Sequence, residues 1–325
     1  MNNAPDERVP LLSLDRRKST ILRGVAILYV LLGHAKYIAW GGVGGVTLFL
    51  LLSGYGLEAS FEDRGLENYW RRRFFKVWLP YMIVGVFNVL ILHVEGSYEI
   101  FCTVVGLDFY MNADKTMWYI SYILFWYAAF YPLALLTRRA GDRRIGTAVR
   151  LAGLFLFSYV FYRLSLIGVW DGTSGAKRYV IFFPLGAALC ALGRVQVKEW
   201  IRTLVWPGLF FLSTVYMVIS YGMTPWTWKY ALFGALQVLA ASQFVHLGGA
   251  AERALLWLGK YSYPIYLFEW TVFRRREQWL GMLKFQPLID LGFILLTALF
   301  AFVFWEANRR FEELAAYAIA KRKAL

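Results

Sequence analysis

Apolar runs of roughly membrane-spanning length recur along nearly the whole chain, and they constrain its fold more than any other feature. A helix needs about 20 mostly apolar residues to cross the hydrocarbon core of a bilayer. It also satisfies its own backbone hydrogen bonds there. With 59% hydrophobic residues among its 325, the chain is too apolar for an ordinary soluble domain. The pattern therefore predicts an all-α, polytopic integral membrane protein.

The apolar runs predict about ten transmembrane helices. We expect one transmembrane domain over 21–305, preceded by an N-terminal tail (1–20) and followed by a basic C-terminal tail (306–325). The predicted helices lie at about 21–40, 44–60, 79–94, 116–136, 150–170, 179–193, 203–221, 230–247, 255–273 and 287–305.

The distribution of charge predicts the topology. A net charge of +14 could indicate a nucleic-acid partner, but the basic residues fall in short loops between apolar runs. Loops 61–79, 137–150 and 193–203 are rich in arginine and lysine, whereas loop 95–116 is mainly acidic. Since basic loops stay on the cytoplasmic side of a membrane, we expect both termini in the cytoplasm and no nucleic-acid partner.

Three consecutive arginines break this alternation. Arg274, Arg275 and Arg276 fall in a loop that the same rule places on the extracytoplasmic side. One interpretation is a cluster that reaches the lipid headgroups, with the side-chain stems along apolar surface. The other is a site for an anionic acceptor. The sequence leaves both open.

The first apolar run contains two polar residues that are costly to place in hydrocarbon. Arg23 and His34 are eleven positions apart, about 1100° at 100° per residue, so they share one helix face within roughly 20°. They lie roughly 16 Å apart along the axis. Polar residues of this kind inside a membrane helix are candidates for function. Imidazole titrates near neutrality, which suits a general base or a transient acyl carrier.

Two further stretches have local signatures. GGVGG (41–45) lacks the Lys-Ser/Thr of a phosphate-binding loop and is predicted to be a tight turn. GLENYWRRRFFKVW (65–78) is predicted to be an amphipathic interfacial helix, and Pro80 suits the first turn of the next helix. The sequence has no Ser-His-Asp order and no cluster of metal ligands, so no metal is expected.

Several motifs, in order, resemble the acyltransferase 3 family of integral membrane acyltransferases. RGVAILYVLLGH looks like its Arg-x10-His signature, and the resemblance spans essentially the whole chain. The other similar motifs are GVTLFLLLSGYG (45–56), RRRFFKVWLPY (71–81), MWYI (117–120) and WLGKYSYPIYLFEW (257–270).

This resemblance implies transfer of an acyl group, usually acetyl from acetyl-CoA, to an extracytoplasmic or lipid-linked glycan. His34 would be the catalytic histidine and Arg23 its paired arginine, which would also contact the donor. The family's Arg-x-x-Arg motif appears as Arg73-x-x-Lys76, and with Arg72 it would bind coenzyme A. Lysine keeps the charge but lacks the planar fork of arginine. Glu269 stands where the family often has a late histidine, and it is expected among the residues that bind the acceptor.

The remaining candidates would bind the acceptor. Arg163 lies in a predicted helix, where it could donate to a sugar or to a developing oxyanion. It could equally form a structural ion pair with Glu58 or Glu269. Trp118, Tyr119 and Tyr263 could stack on a sugar ring, or simply pack.

Three alternatives remain at this level. The acyl group could be succinyl or another acyl group, or the protein could be a transporter or flippase that uses Arg23, His34 and Arg163 as a relay. The reaction could pass through direct transfer or an acyl-histidine. We expect a cell-envelope enzyme in the bacterial cytoplasmic membrane, in contact with membrane lipid, either as a monomer or as a homo-oligomer.

Overall fold

The computed structural model describes residues 8–38, 41–106, 116–167, 176–220 and 228–324, and this part of the chain is mainly helical. One short ladder pairs β1 (Arg8–Pro10) antiparallel with β2 (Gln196–Lys198). The α-helices are α1 (Arg16–His34), α2 (Gly41–Arg64), α3 (Tyr69–Arg73), α4 (Leu79–Leu92), α5 (Ser97–Val105), α6 (Trp118–Thr137), α7 (Arg143–Leu166), α8 (Phe182–Leu192), α9 (Glu199–Ile219), α10 (Trp228–Phe244), α11 (Gly249–Lys260), α12 (Ser262–Leu280) and α13 (Gln286–Ala324).

The chain divides into two compact units. The first unit comprises residues 1–69 and 118–259, and the second comprises 70–117 and 260–325. The first unit therefore contains α1, α2 and α6 to α11, whereas the second contains α4, α5, α12 and α13. Each unit is assembled from two separate stretches of sequence.

In the first unit, α2 packs against α1, α8 and α10. Its contact with α8 is close because each helix presents a glycine to the other. A Cβ atom on Gly54 would lie 2.0 Å from the carbonyl oxygen of Phe183, and one on Gly186 would lie 2.0 Å from that of Leu51. Small residues permit this close approach of helix backbones in membrane proteins. Gly54 belongs to the Ser-Gly-aromatic motif, so the packing explains one position of that motif.

In the second unit, α4 packs against α5 and α12, and α12 packs against α13. Polar side chains join these helices where they are buried. The hydroxyl of Tyr81 on α4 donates to the carbonyl of Thr103 on α5 (2.7 Å). The hydroxyl of Thr271 on α12 donates to Oδ1 of Asn88 on α4 (2.7 Å). Buried polar groups are tolerated when they are paired in this way.

Six helices of the described residues are long and apolar enough to cross a membrane. They cover Gly41–Arg64, Tyr69–Leu92, Trp118–Thr137, Arg143–Leu166, Glu199–Ile219 and Gln286–Phe311. The all-α class is confirmed, while the count of ten spans and the cytoplasmic side of both termini stay predictions.

The first helix differs from its predicted bounds. It begins at Arg16 rather than at residue 21, because the side chain of Asp15 accepts a hydrogen bond from the backbone N–H of Lys18 (2.7 Å) and so caps its start. It ends at His34 rather than at residue 40, and Lys36 follows with φ of 65°. Residues 39–40 lie outside the described part of the chain.

The prediction of a tight turn at GGVGG is wrong, since these glycines form the first turn of α2. Packing against α1 rather than a turn requires glycine at positions 41 and 45. A Cβ atom on Gly41 would lie 2.3 Å from the carbonyl oxygen of Tyr29, and one on Gly33 would lie 2.4 Å from the nitrogen of Gly42. The glycines therefore bring the start of α2 against the end of α1.

A single helix over 255–273 is also wrong, because the chain breaks at Tyr261 between α11 and α12. Pro264 lies three positions further, and it has no N–H to donate to the carbonyl of Lys260. A proline is tolerated in the first turn of a helix but not in its interior. The break therefore places Pro264 in the first turn of α12.

Three further predicted segments differ from the structure. Part of the predicted acidic loop 95–116 is the helix α5, and its residues 107–115 lie outside the described part. The predicted interfacial segment 65–78 contains α3 and the π-helical turn that continues directly into α4. Its position at the membrane interface stays a prediction. Helix α13 extends through the predicted tail 306–325 as far as Ala324. The cytoplasmic location of that tail remains a prediction.

Candidate functional site

Arg23 and His34 lie on one continuous helix, α1, as predicted. Arg23 is exposed, and His34 is half-buried as the last residue of the helix. Their separation is roughly 16 Å along the axis at the α-helical rise. One helix therefore carries a permanent cation in its middle and a titratable imidazole at its C-terminal end.

A hydroxyl pair lies close to this helix in the first unit. The hydroxyl of Ser53 on α2 lies 3.4 Å from that of Tyr119 on α6, and either group can donate. The ring centroids of Tyr119 and Phe49 are 6.3 Å apart, and the side chain of Tyr119 is buried. The structure thus adds Ser53 beside Tyr119, within the unit that also contains Arg23.

Trp118 belongs to an aromatic cluster rather than to an open surface. Its ring stacks on Tyr179 with a centroid distance of 5.4 Å and an interplanar angle of 25°. The ring of Tyr122 contacts it at 5.9 Å, and Tyr122 is fully buried. Packing therefore covers one face of the indole ring of Trp118, so a sugar ring could stack only on the other face.

Arg163 lies in the last turn of α7 and is exposed. Its Nη1 donates to the hydroxyl of Tyr159 one turn earlier (3.1 Å), and its guanidinium lies 5.8 Å from the centroid of that ring. Within the described part of the first unit, Arg163 makes no ion pair with Glu58. Glu58 instead pairs with Arg150, a residue that the sequence analysis placed in a loop.

The predicted donor-binding residues lie in the second unit, on a helical segment that changes its hydrogen-bonding pattern. Residues Phe74–Trp78 form a π-helical turn between α3 and α4. Pro80 follows, and it has no N–H for the carbonyl of Lys76, which favours a departure from the α-helical pattern. Lys76 is exposed on this turn, whereas Arg72 and Arg73 just before it are half-buried.

Tyr263 on α12 holds the π-helical turn in place. Its hydroxyl donates to the carbonyl of Val77 (2.6 Å). A cavity of about 290 Å³ opens beside this bond. Lys76 and Arg309 contribute cations to its lining, and Arg309 also bonds to Glu306 and Glu313. The other lining residues are Phe75, Pro80, Tyr263, Pro264, Phe304, Trp305 and Asn308.

This cavity, here called the Lys76 pocket, combines an apolar floor with a cationic edge. An anionic group could contact the ammonium of Lys76 while an apolar or aromatic part of the same molecule lies on the floor. Arg309 was missed from the sequence, where it reads as one of several charges in a basic tail. Only its position on α13, beside Trp305, indicates a role here.

Glu269, the other predicted residue of α12, is fully buried in the second unit. A buried carboxyl group is costly unless it is paired or neutral, so it is a candidate for function or for a structural hydrogen bond. Among the residues that the structure describes, no three histidine, cysteine or carboxylate side chains are arranged to hold a metal ion.

The structure thus groups the predicted residues by unit. The first unit contains the predicted catalytic residues and part of the predicted acceptor site: His34, Arg23, Trp118, Tyr119 and Arg163. The second unit contains the other predicted residues: Arg72, Arg73, Lys76, Tyr263 and Glu269. Within the second unit, Lys76 and Tyr263 line one pocket.

Comparison with known families gives one match. A family model described as an acyltransferase domain, that of acyltransferase 3, matches residues 16–306. The match contains every residue predicted for the site, and it confirms the resemblance found in the motifs. No curated protein and no solved structure matches the chain.

Proposed function

The chain belongs to the acyltransferase 3 family, and from this premise we propose that it transfers an acyl group from cytoplasmic acyl-CoA to a saccharide hydroxyl. The apolar helices and the family together make it a membrane protein of an acyltransferase family. The expected donor is acetyl-CoA. The expected acceptor is an extracytoplasmic or lipid-linked saccharide of the bacterial cell envelope.

The observation that carries the proposal is the Lys76 pocket. Coenzyme A has an anionic, phosphate-rich head that cannot enter hydrocarbon, so its binding site must offer cations at a membrane surface. Lys76 offers one just before α4, and Arg309 offers another within α13. The apolar floor, with Trp305, suits the uncharged and aromatic parts of such a molecule. A site for a small hydrophobic solute would not need these cations.

His34 is the proposed catalytic residue. It would deprotonate the acceptor hydroxyl, which then attacks the thioester carbonyl, and coenzyme A leaves as a thiolate that takes up a proton. In the second route, the imidazole attacks the thioester first and forms an acyl-histidine, which the acceptor hydroxyl then attacks. Arg23 would orient the donor or stabilise the charge that develops on the carbonyl oxygen.

The test uses the purified full-length protein in proteoliposomes. Release of free coenzyme A thiol from acetyl-CoA is followed with and without oligosaccharides from lipid-linked precursors, and label from acetyl-CoA is traced into the saccharide. We expect saccharide-dependent release and stoichiometric labelling, with succinyl-CoA as a parallel donor. Tight binding of acyl-CoA without transfer, or movement of saccharide across the membrane without acylation, would contradict the proposal and favour a transporter or flippase.

A further inference from the structure

A second cavity lies in the second unit, at the other end of α4 from Lys76. It has a volume of about 540 Å³, within the range of small-molecule sites. Its polar lining comes from His93, Glu95, Glu99, Arg274 and Arg275. We call it the Arg274 pocket.

The turn after α4 and the start of α5 form one wall. Helix α4 ends at Leu92, His93 adopts a left-handed conformation with φ of 55°, and α5 begins at Ser97. This turn carries Glu95, and the first turn of α5 carries Glu99. Glu95 therefore lies in the short turn between α4 and α5, and Glu99 lies in the first turn of α5.

Arg275 fixes the opposite wall. Its Nε and Nη2 donate to the carbonyl of Ile91 (3.2 and 2.5 Å), and its Nη1 donates to Oε1 of Gln278 (3.1 Å). The carbonyl of Ile91 belongs to the last turn of α4, where carbonyls lack partners within the helix and attract cations. Arg275 is thus a positioning residue that joins α12 to the end of α4.

The three consecutive arginines consequently have different roles. Arg276 lies over the ring of Phe273, with its guanidinium carbon 3.6 Å from the ring centroid, and donates to the carbonyl of the same residue (3.0 Å). Arg274 is exposed at the pocket, and its side chain makes no hydrogen bond or ion pair with any described residue. A shared role at the lipid headgroups does not explain these three environments.

The formal charges of the whole pocket balance, and four of its polar side chains have no partner. The side chains of His93, Glu95, Glu99 and Arg274 make no hydrogen bond or ion pair within the described part of the chain. Two carboxylates face two guanidinium groups, so the pocket has no net charge to attract an anion. Carboxylates accept hydrogen bonds from hydroxyl groups, and arginine and imidazole donate to oxygen atoms. This combination suits a ligand with many hydroxyl groups and no large net charge.

The location is also informative. Lys76 and His93 are 17 positions apart, which corresponds to about 26 Å at the α-helical rise, close to the hydrocarbon thickness of a bilayer. The Lys76 pocket and the Arg274 pocket would therefore face opposite membrane surfaces. A donor with an anionic head suits the first, and a hydroxyl-rich ligand that arrives from the other side suits the second.

We propose that the Arg274 pocket binds the sugar residues of the saccharide acceptor, with Glu95 and Glu99 accepting bonds from sugar hydroxyls and Arg274 donating to sugar oxygens. This inference rests on the proposed function, because it identifies where the acceptor of that reaction is held. It replaces an anionic-acceptor site at the three arginines with a site for a neutral saccharide.

The first experiment measures kinetics in proteoliposomes. Glu99→Gln and Arg274→Gln should each raise the KM for the oligosaccharide acceptor by about tenfold or more, the usual effect of losing a hydrogen bond to a charged group. The KM for acetyl-CoA should not change. Glu277→Gln and Arg310→Gln, exposed on α12 and α13, are the matched controls. Wild-type acceptor kinetics in both pocket variants, with transfer intact, would overturn the inference but leave the proposed function standing.

The second experiment measures binding without turnover. Arg274→Cys is introduced with His34→Ala, and its reaction with a membrane-impermeant maleimide is followed with added neutral oligosaccharides, inorganic phosphate or phosphatidylglycerol vesicles. The two native cysteines are buried and give the background. We expect protection by oligosaccharides alone. Protection only by the phospholipid or phosphate would identify a headgroup or anion site, and no protection by any saccharide would also overturn the inference. Protection by oligosaccharides, together with no acyl transfer by the protein that retains His34, would instead contradict the proposed function.

Discussion

The guanidinium of Arg150 and the carboxylate of Glu58 form a buried, two-pronged ion pair, although 92 residues separate them in the chain. Their side chains are 4% and 0% exposed. The remaining N–H groups of Arg150 donate to the hydroxyls of Thr137 (3.0 Å) and Thr147 (3.2 Å). The pair thus joins α2, α6 and α7 in the first unit, with both charges compensated.

Removing one member of this pair should destabilise the first unit. Arg150→Met leaves the carboxylate of Glu58 buried without its partner, which typically costs about 3–5 kcal/mol. We expect a clearly lower unfolding temperature. Buried Cys190 provides the measurement, since Cys102→Ser leaves it as the single thiol and its labelling by a thiol-reactive dye reports unfolding of this unit.

The controls separate burial of charge from loss of volume. Arg144→Met alters an exposed arginine of the same helix and should unfold at the wild-type temperature. The double variant Glu58→Leu with Arg150→Met removes both charges, so it should recover much of the lost stability. An unchanged unfolding temperature in Arg150→Met would show that the pair contributes little.

His34→Ala should abolish acyl transfer while the protein still inserts and purifies folded. Loss of a general base typically lowers the rate about 10²- to 10⁴-fold, and loss of a nucleophile removes the covalent route altogether. Transfer of label from acetyl-CoA is the assay. The matched control is His246→Ala, an exposed histidine of the first unit. Near-normal transfer by His34→Ala would exclude both mechanisms.

Lys76→Ala should raise the KM for acetyl-CoA more than the KM for the acceptor. A charge-assisted contact to phosphate is worth about 1.5–3 kcal/mol, so the change should be roughly ten- to hundredfold. Arg73→Ala should act in the same direction. Lys76→Arg should be tolerated because it keeps the charge, and Lys229→Ala, exposed in the first unit, is the control. Unchanged donor affinity in both alanine variants would place the donor site elsewhere.

Arg23→Lys tests whether the guanidinium does more than set topology. Lysine keeps the charge that topology depends on, but it lacks the planar fork. We expect normal insertion and at least about tenfold lower activity, on the order of 1.4 kcal/mol of transition-state stabilisation. Labelling of introduced loop cysteines checks the orientation. Full activity with lysine would reduce Arg23 to a topology signal.

Gly54→Ala should destabilise the contact between α2 and α8, because the new methyl group would lie 2.0 Å from the carbonyl oxygen of Phe183. Overpacking of this kind costs about 1–3 kcal/mol. Gly56→Ala is the matched control on the same helix, since nothing lies within 4 Å of its Cβ position. Thiol labelling of Cys190 on heating should show a loss only in Gly54→Ala. Equal unfolding temperatures for Gly54→Ala and Gly56→Ala would mean that α2 and α8 accommodate the extra methyl group without loss of stability.

The sequence alone predicted the helical membrane class, the family and the shared helix of Arg23 and His34. These features depend on neighbours along the chain. An apolar run defines a membrane helix, helical periodicity puts residues eleven apart on one face, and a motif is read in order. Even so, the ends of α1 were misplaced, since the cap at Asp15 precedes the apolar run.

Only the tertiary structure decided which distant residues meet. The sequence suggested that Arg150 is a loop cation, but in the structure it is buried and paired with Glu58. The sequence also suggested a turn at GGVGG, because the stretch itself does not show that the backbone of α1 packs against it. Lys76 and Arg309, more than two hundred positions apart, share a pocket for the same reason. Packing between helices depends on shape and on burial of charge across the fold, and neither quantity is contained in a local stretch of sequence.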